Sequence, residues 1–278
     1  MTAVETDVTN HEIHLLLEDI YLRYGADFRE YSPTSVRRRV TLAVTQLGYA
    51  GIPELRNQIL ADAKNYTQLL DFLTVPTSEM FRDPSYFRAL RENVVPLLRT
   101  YPSIKIWVAG CSRGEELYSL AILLREEGIL EKTVIYATDI NPLSLERAKS
   151  GIFPLDLASK YTENYQKSGG KSAFSDYYQA GYGSIIFDAS LRANVVFADH
   201  SLATDSVFAE VQFVSCRNVL IYFKRSLQDR AFRLFTESLS SRGFLGLGSK
   251  ETLRFSPLYE EFEEFVREDR IYRKRRNR

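Results

Sequence analysis

The chain is poor in the residue types that carry most side-chain chemistry. Among its 278 residues are two cysteines, Cys111 and Cys216, and three histidines, His11, His14 and His200. Two cysteines make no disulfide framework, and three scattered histidines give no metal-ligand spacing, so the sequence argues against a metalloenzyme. No Ser-His or Cys-His pair stands at a recognisable elbow, which argues against nucleophilic hydrolysis. Apolar runs long enough to cross a bilayer are missing, and the opening MTAVETDVTNHE is acidic and polar where a signal peptide is basic and then apolar. The expectation is a cytosolic protein. Net charge is also lacking: Lys plus Arg and Asp plus Glu balance at 36 each, so no global field points to nucleic acid or membrane. Any partner has to be read from local clusters.

What is present is enough apolar material, 45% of the residues, to fill the cores of two domains. From His11 to Leu73 the periodicity is helical: Ile13, Leu16, Leu17, Ile20 and Tyr21 recur on one face, Ser35 to Leu47 follows Pro33 with Thr34 as a cap, and Ile52 to Ala61 and Tyr66 to Leu73 repeat the pattern. One of these helices carries Arg37, Arg38 and Arg39, with Arg29 nearby. They read as a solvated face with ion pairs or as a docking surface for an acidic partner. The segment LTVPTSEMFRDPSYF breaks periodicity and enters a second domain, with Asp83-Pro84 starting a helix that runs to Leu98.

The second domain is organised around IKIWVAGCSRGEELYS, residues 104 to 119. An apolar run, a loop bounded by Gly110 and Gly114, and a helix from Glu115 read as a buried strand, a tight turn and a helix. A second strand, in TVIYATDIN, ends at Asp139, where an acid can accept the hydroxyl hydrogens of a ribose. The glycine spacing is not the one that seats a dinucleotide pyrophosphate, and Glu115 and Glu116 at the helix start would repel one. A cationic or zwitterionic nucleoside fits better, and S-adenosylmethionine is the obvious candidate.

Further strands are expected at 194–198, 211–215 and 243–248, with a helix at 227–239. Their carboxyl ends place Cys111, Asp139, Ser201 and Asn218 along one rim. Cys111 and Cys216 would end adjacent strands, either as a pair open to oxidants or as two small packed residues. His200 reads as structural. Residues 152 to 192, rich in Gly and Tyr, read as an insertion carrying a small antiparallel sheet, or as a loop packed by its own aromatics. The basic end, Arg273 to Arg278, reads as a solvated tail.

Taken in order, TSEMFRDPSYF, AGCSRGEELYSLAILL, IYATDINPLSLERAKSGIF, FVSCRNVLIYF and GLGSKETL resemble the CheR-type chemotaxis receptor methyltransferases over most of residues 70 to 255. The resemblance implies an α/β fold: a Rossmann-like class I methyltransferase domain at 75–278 with a small β-subdomain at 152–192, preceded by an all-α domain at 1–74. It implies methyl transfer from S-adenosylmethionine to glutamate carboxylates on the cytoplasmic helices of a chemoreceptor, by a monomer. Pro76, Ser78, Arg82, Gly110, Glu116, Asp139, Ser201, Leu202, Cys216, Arg217 and Asn218 fall at or beside the family's cofactor positions, and Arg82 and Tyr222 stand beside the transferred methyl. Arg37, Arg38 and Arg39 resemble the receptor-facing surface, and the β-subdomain resembles the part that grips a receptor tail in some members.

The chain departs from the common family form at Arg113 and Leu117, at Pro76 and Ser201, where Asn is frequent, and at GLGSKE in place of GHSE. These departures keep two alternatives in view, an S-adenosylmethionine-binding scaffold without turnover and a methyltransferase acting on a small carboxylic acid or another protein. A glutamate is ionised at neutral pH, so its attack on a sulfonium methyl requires no strong base, which suits the scarcity of histidine.

Overall fold

The computed structural model describes residues 3–74 and 78–276. Its first part is the helical bundle that the periodicity predicts: α1 (Ala3–Tyr24), α2 (Pro33–Leu47), α3 (Ile52–Ala61) and α4 (Ala63–Thr74). Leu16, Ile20, Phe28, Val40, Leu55, Ile59 and Leu69 meet in a core of their own. Full burial of each such side chain contributes about 1.5–3 kcal/mol. The start of α2 differs from expectation. Ser32, not Thr34, occupies the cap position, and Pro33 is the first helical residue. Proline suits that place because its missing N–H is one a helix start leaves unpaired anyway.

The helix expected from Pro84 to Leu98 is three pieces: α5 (Pro84–Ala89), a wide π turn over Leu90–Val94 and α6 (Val95–Leu98). Pro96 lies just past the wide turn and has no N–H to offer the carbonyl four residues back.

β1 (Ile104–Ala109), α7 (Glu115–Glu126), β2 (Thr133–Asp139) and α8 (Pro142–Ser150) follow. Asn141 caps α8 by accepting the amides of Leu143 and Ser144, and Gly151 ends it in a left-handed conformation. The insertion then forms β3 (Ile152–Pro154), α9 (Ala158–Lys167), β4 (Tyr178–Gly181) and β5 (Ser184–Phe187). Its strands make a separate antiparallel sheet in the order β3-β5-β4. Tyr161, Tyr165, Phe174, Tyr177 and Phe187 share a core with Phe81, Phe87 and Leu123, so the aromatics weld the insertion to the main domain.

The chain returns to the main sheet with β6 (Val195–Asp199), β7 (Val211–Cys216), α10 (Arg225–Ser238), β8 (Leu239–Leu247), β9 (Phe262–Val266) and β10 (Ile271–Lys274). The sheet order is β6-β2-β1-β7-β8-β10-β9. β1 runs parallel to both β2 and β7, while β10 is antiparallel to β8 and β9. The basic end is not simply a solvated tail. Lys274 is buried and donates to the carbonyls of Thr236 (2.7 Å) and Leu239 (2.8 Å), where α10 ends with carbonyls in need of donors. Arg273 lies over Phe244 and Phe265.

Candidate functional site

Strand order reverses at β1, whose neighbours β2 and β7 lead to opposite sides of the sheet. Loops leaving the carboxyl ends of such strands diverge and leave a crevice. Here the crevice is walled by Ser78, Arg82, Gly110, Ser112, Glu116, Asp139, Arg217, Asn218 and Tyr222, with Leu73, Ile140 and Leu202 among its apolar members.

The turn after β1 closes because Gly110 adopts φ +70°, and a Cβ there would meet Val219 Cγ2 at 2.6 Å. Only glycine lets this loop approach the turn after β7 so closely. Asp139, at the end of β2, accepts the Ser112 amide on Oδ2 (2.8 Å) and the Asn141 amide on Oδ1 (2.9 Å). Burial pushes its carboxyl above the usual range, and those amides act against that rise.

Glu116 is held by the Ser215 hydroxyl, which donates to Oε1 (2.7 Å), and by Arg217 Nη1 on Oε2 (3.1 Å). Arg217 Nη2 donates to Asp83 Oδ2 (2.8 Å) and to the Arg82 carbonyl (2.8 Å), and its guanidinium lies 4.0 Å above the Tyr86 ring. Burial disfavours the charge on Arg217, but Glu116, Tyr86 and Asp83 outweigh it, and the group is held above its ordinary value. Arg217 thus braces the Arg82 segment to the sheet. The Arg82 side chain has no hydrogen-bond or ion-pair partner among the described residues.

Several expected residues fall elsewhere. Cys216 is fully buried inside β7 and Ser201 is turned into its own loop, where its hydroxyl accepts the Ala203 amide (3.3 Å); neither belongs to the cavity wall. Strand pleating explains the first, because a residue facing the core beside Arg217 cannot also face the rim. Pro76 lies outside the described residues. Cys111 and Cys216 end neighbouring strands as expected; both are buried, and burial pushes both thiols up, which disfavours the reactive thiolate form and favours the packed reading. The His200 ring packs edge-on against Trp107 and Phe208 and also stands in the cavity wall.

The arginine surface requires the largest correction. Arg38 is exposed and Arg37 partly so, but Arg39 is only 4% exposed. Its guanidinium sits 4.2 Å from the centroid of the Tyr222 ring. Helix periodicity is the reason: Val36, Arg39, Val40 and Ala43 form the inward face of α2.

Other wall residues carried no signal in the sequence. Tyr31, Leu73 and Thr74 come from the helical domain. Tyr31 pairs with Phe223 in an isolated antiparallel bridge, and the Ser32 amide donates to the Tyr222 carbonyl (2.8 Å). Glu251 is buried behind the site and accepts the amides of Gly248 (2.7 Å), Asn218 (3.0 Å) and Ile221 (3.2 Å), fixing the turn that leads to Tyr222. The GSKE sequence after β8 was its only trace, read as a departure and not as a brace.

The polar set of two acceptor carboxylates and two donor guanidiniums, with an apolar end, suits a ligand that is both nucleoside and zwitterion. Residues 76–267 match the family model for the CheR methyltransferase SAM-binding domain, and residues 11–74 match the model for the CheR methyltransferase all-alpha domain. A Pseudomonas putida protein named Cher3 is 59% identical over 266 residues, covering 96% of this chain and 97% of that protein. A chemotaxis protein methyltransferase from Listeria innocua is 30% identical over 234 residues, covering 82% and 85%. Another so named, from Borreliella burgdorferi, is 26% identical over 270 residues, covering 89% and 90%. On its bundle, its Rossmann-like sheet and both domain matches, the chain belongs to the CheR family of S-adenosylmethionine-dependent methyltransferases.

Proposed function

We propose that the protein transfers a methyl group from S-adenosylmethionine to glutamate side-chain carboxylates of a chemoreceptor, giving methyl esters, and that it does so in the cytoplasm. The relatives named chemotaxis protein methyltransferase support the receptor as partner. The observation that carries the reading is the position of Arg82. With Ser78 it walls both the cofactor cavity and a second, outer cleft of about 800 Å³, which is completed by Glu79, Asp83, Pro84, Lys160 and Asn164. A forked donor shared by the two is suited to receive a carboxylate from outside and turn it toward the cofactor.

In this reading the cofactor supplies an electrophilic sulfonium methyl. Asp139 would hold its ribose, Leu73, Ile140 and Leu202 would flank its base, and Ser78, Arg82, Gly110, Glu116 and Asn218 would hold its amino-acid end and the turn beside it. Arg217 acts as a brace to that group. Arg82 and the Tyr222 hydroxyl orient the incoming carboxylate, and closing it off from water raises its reactivity. Arg37 and Arg38 remain as a receptor-facing surface. On the β-subdomain Ile152, Leu155, Leu157, Tyr182 and Ile186 are exposed, which would suit an apolar receptor tail.

The test is incubation of the purified protein with methyl-labelled S-adenosylmethionine and a receptor cytoplasmic fragment, followed by mild base. Volatile label released from the receptor band identifies a carboxyl methyl ester. Arg82→Ala and Tyr222→Phe are each expected to slow transfer by about a hundredfold. Tight S-adenosylhomocysteine binding with no labelling of any receptor in a panel would instead establish a binding-only module.

A further inference from the structure

Arg39 is placed where a docking residue cannot act and where a structural residue would not need its charge. Nη1 donates to the carbonyl of Leu73, while Nε and Nη2 are buried with no hydrogen-bond partner among the described residues. Burial lowers its basicity, as expected for a cation taken out of water, and the nearby Tyr222 side chain acts against that fall. A guanidinium with idle donors in the interior costs stability, and an apolar side chain of similar volume would fill the space without that cost. What the charge gains in return is the face of the Tyr222 ring, 4.2 Å from the guanidinium carbon.

Both ends of this contact belong to the site. Leu73, which accepts the Arg39 hydrogen bond, and Tyr222, which carries its stack, both wall the cofactor cavity. The Tyr222 backbone is fixed from the same side, its carbonyl accepting the Ser32 amide at 2.8 Å. Two residues of the helical domain therefore hold Tyr222, one by its main chain and one by its ring. On the adjoining face of the same helix Arg38 is exposed.

We propose that Arg39 is a positioning residue: it sets the orientation of the Tyr222 ring, and it links whatever binds the exposed face of α2 to the methyl-transfer centre. The proposal rests on the reading of Tyr222 given above. A substrate seated on Arg38 would then change the rate of the bound complex as well as its formation.

The decisive comparison uses the full chain with Arg39→Met, Arg39→Lys, Tyr222→Phe and the double variant Arg39→Met/Tyr222→Phe. Thermal melts identify any variant that has lost its fold. Arg39→Met is expected to lower kcat for receptor methylation about tenfold with KM nearly unchanged, and Arg39→Lys, which keeps a stacking cation, to recover part of it. The double variant is expected to be no slower than Tyr222→Phe, because Arg39 acts through that ring. A rise in KM at constant kcat, or additive losses in the double variant, would overturn the proposal and return Arg39 to a docking or packing role.

A second readout does not depend on turnover. With 3-fluorotyrosine at position 222, the fluorine resonance of the wild-type chain should be one sharp line, and Arg39→Met should shift or split it. An unchanged line overturns the proposal. Failure of the wild-type chain to methylate any receptor, with the line shifted, would sink the proposed function and leave the Arg39 to Tyr222 coupling standing.

Discussion

Glu115 opens α7 with its side chain buried, 5% exposed, and Oε2 without a hydrogen-bond partner among the described residues. Burial pushes its carboxyl from 4.5 up to about 7, so the folded protein holds a proton there that the unfolded chain has given up. The sign follows: the contribution of this group is fully present below 4.5 and is lost as pH rises through about 7. Glu115→Gln is expected to match the wild type in stability near the lower limit and to exceed it at pH 8, by about 1.4 kcal/mol per unit of the shift. Urea unfolding of both proteins at the two pH values checks this, and an equal difference at both would refute it. Glu115 and Glu116 are neighbours in sequence with opposite fates, one buried without a full set of partners and the other clasped by Ser215 and Arg217. Helix-start signals place both without telling them apart, and it is the family resemblance that singles out Glu116, the one that faces the cavity.

The β-subdomain is held to α7 by charge as well as by aromatic packing. Arg91 Nη2 meets Glu126 at 2.6 Å and Nη1 meets Glu127 at 2.7 Å, and all three side chains are at most 9% exposed. From the insertion, Tyr165 and Tyr177 donate to Glu126, and Lys171 pairs with Glu127 at 2.7 Å. Arg91→Met would leave Glu126 buried without its cation, while Glu127 keeps Lys171 and Arg99, a loss of about 3–5 kcal/mol. The expected signs are a lower urea midpoint and faster trypsin cleavage after Lys167 and Lys171. A loss of stability with unchanged cleavage would mean that the network supports α7 alone.

Elements with a strong local period or end signal were legible in sequence. Ile52 to Ala61 begins and ends where its periodicity indicates, and the strand expected at 211–215 runs one residue further, to Cys216. The π turn before Pro96, the built-in Arg273 and Lys274, and the outcome for residues 152–192 depend on packing partners distant in sequence, which no local pattern encodes.

At the scale of the whole molecule the two domains share one site. The motif residues Gly110, Glu116 and Asp139 were readable because strand-loop-helix geometry ties their spacing to one sheet edge. Tyr31, Leu73, Thr74 and Arg39 were not, because their contribution arises only when the helical bundle is laid against the 222–224 turn. Asp71 and Thr74 also receive the Asn141 amide, at 2.7 and 3.2 Å, so the loop after β2 is tied to α4. A ligand in the cavity therefore touches the bundle and the sheet together, and each is stabilised by mass action on the other. Adding S-adenosylhomocysteine should slow amide hydrogen exchange in the 28–32 segment and the last turn of α4 as well as in the loops after β1, β2 and β7. Protection confined to the sheet loops would mean that the bundle is only a neighbour of the site. Protection in both, lost from the bundle in Asp71→Ala, would identify the Asn141 contact as the route by which the cofactor loop and the helical domain sense each other.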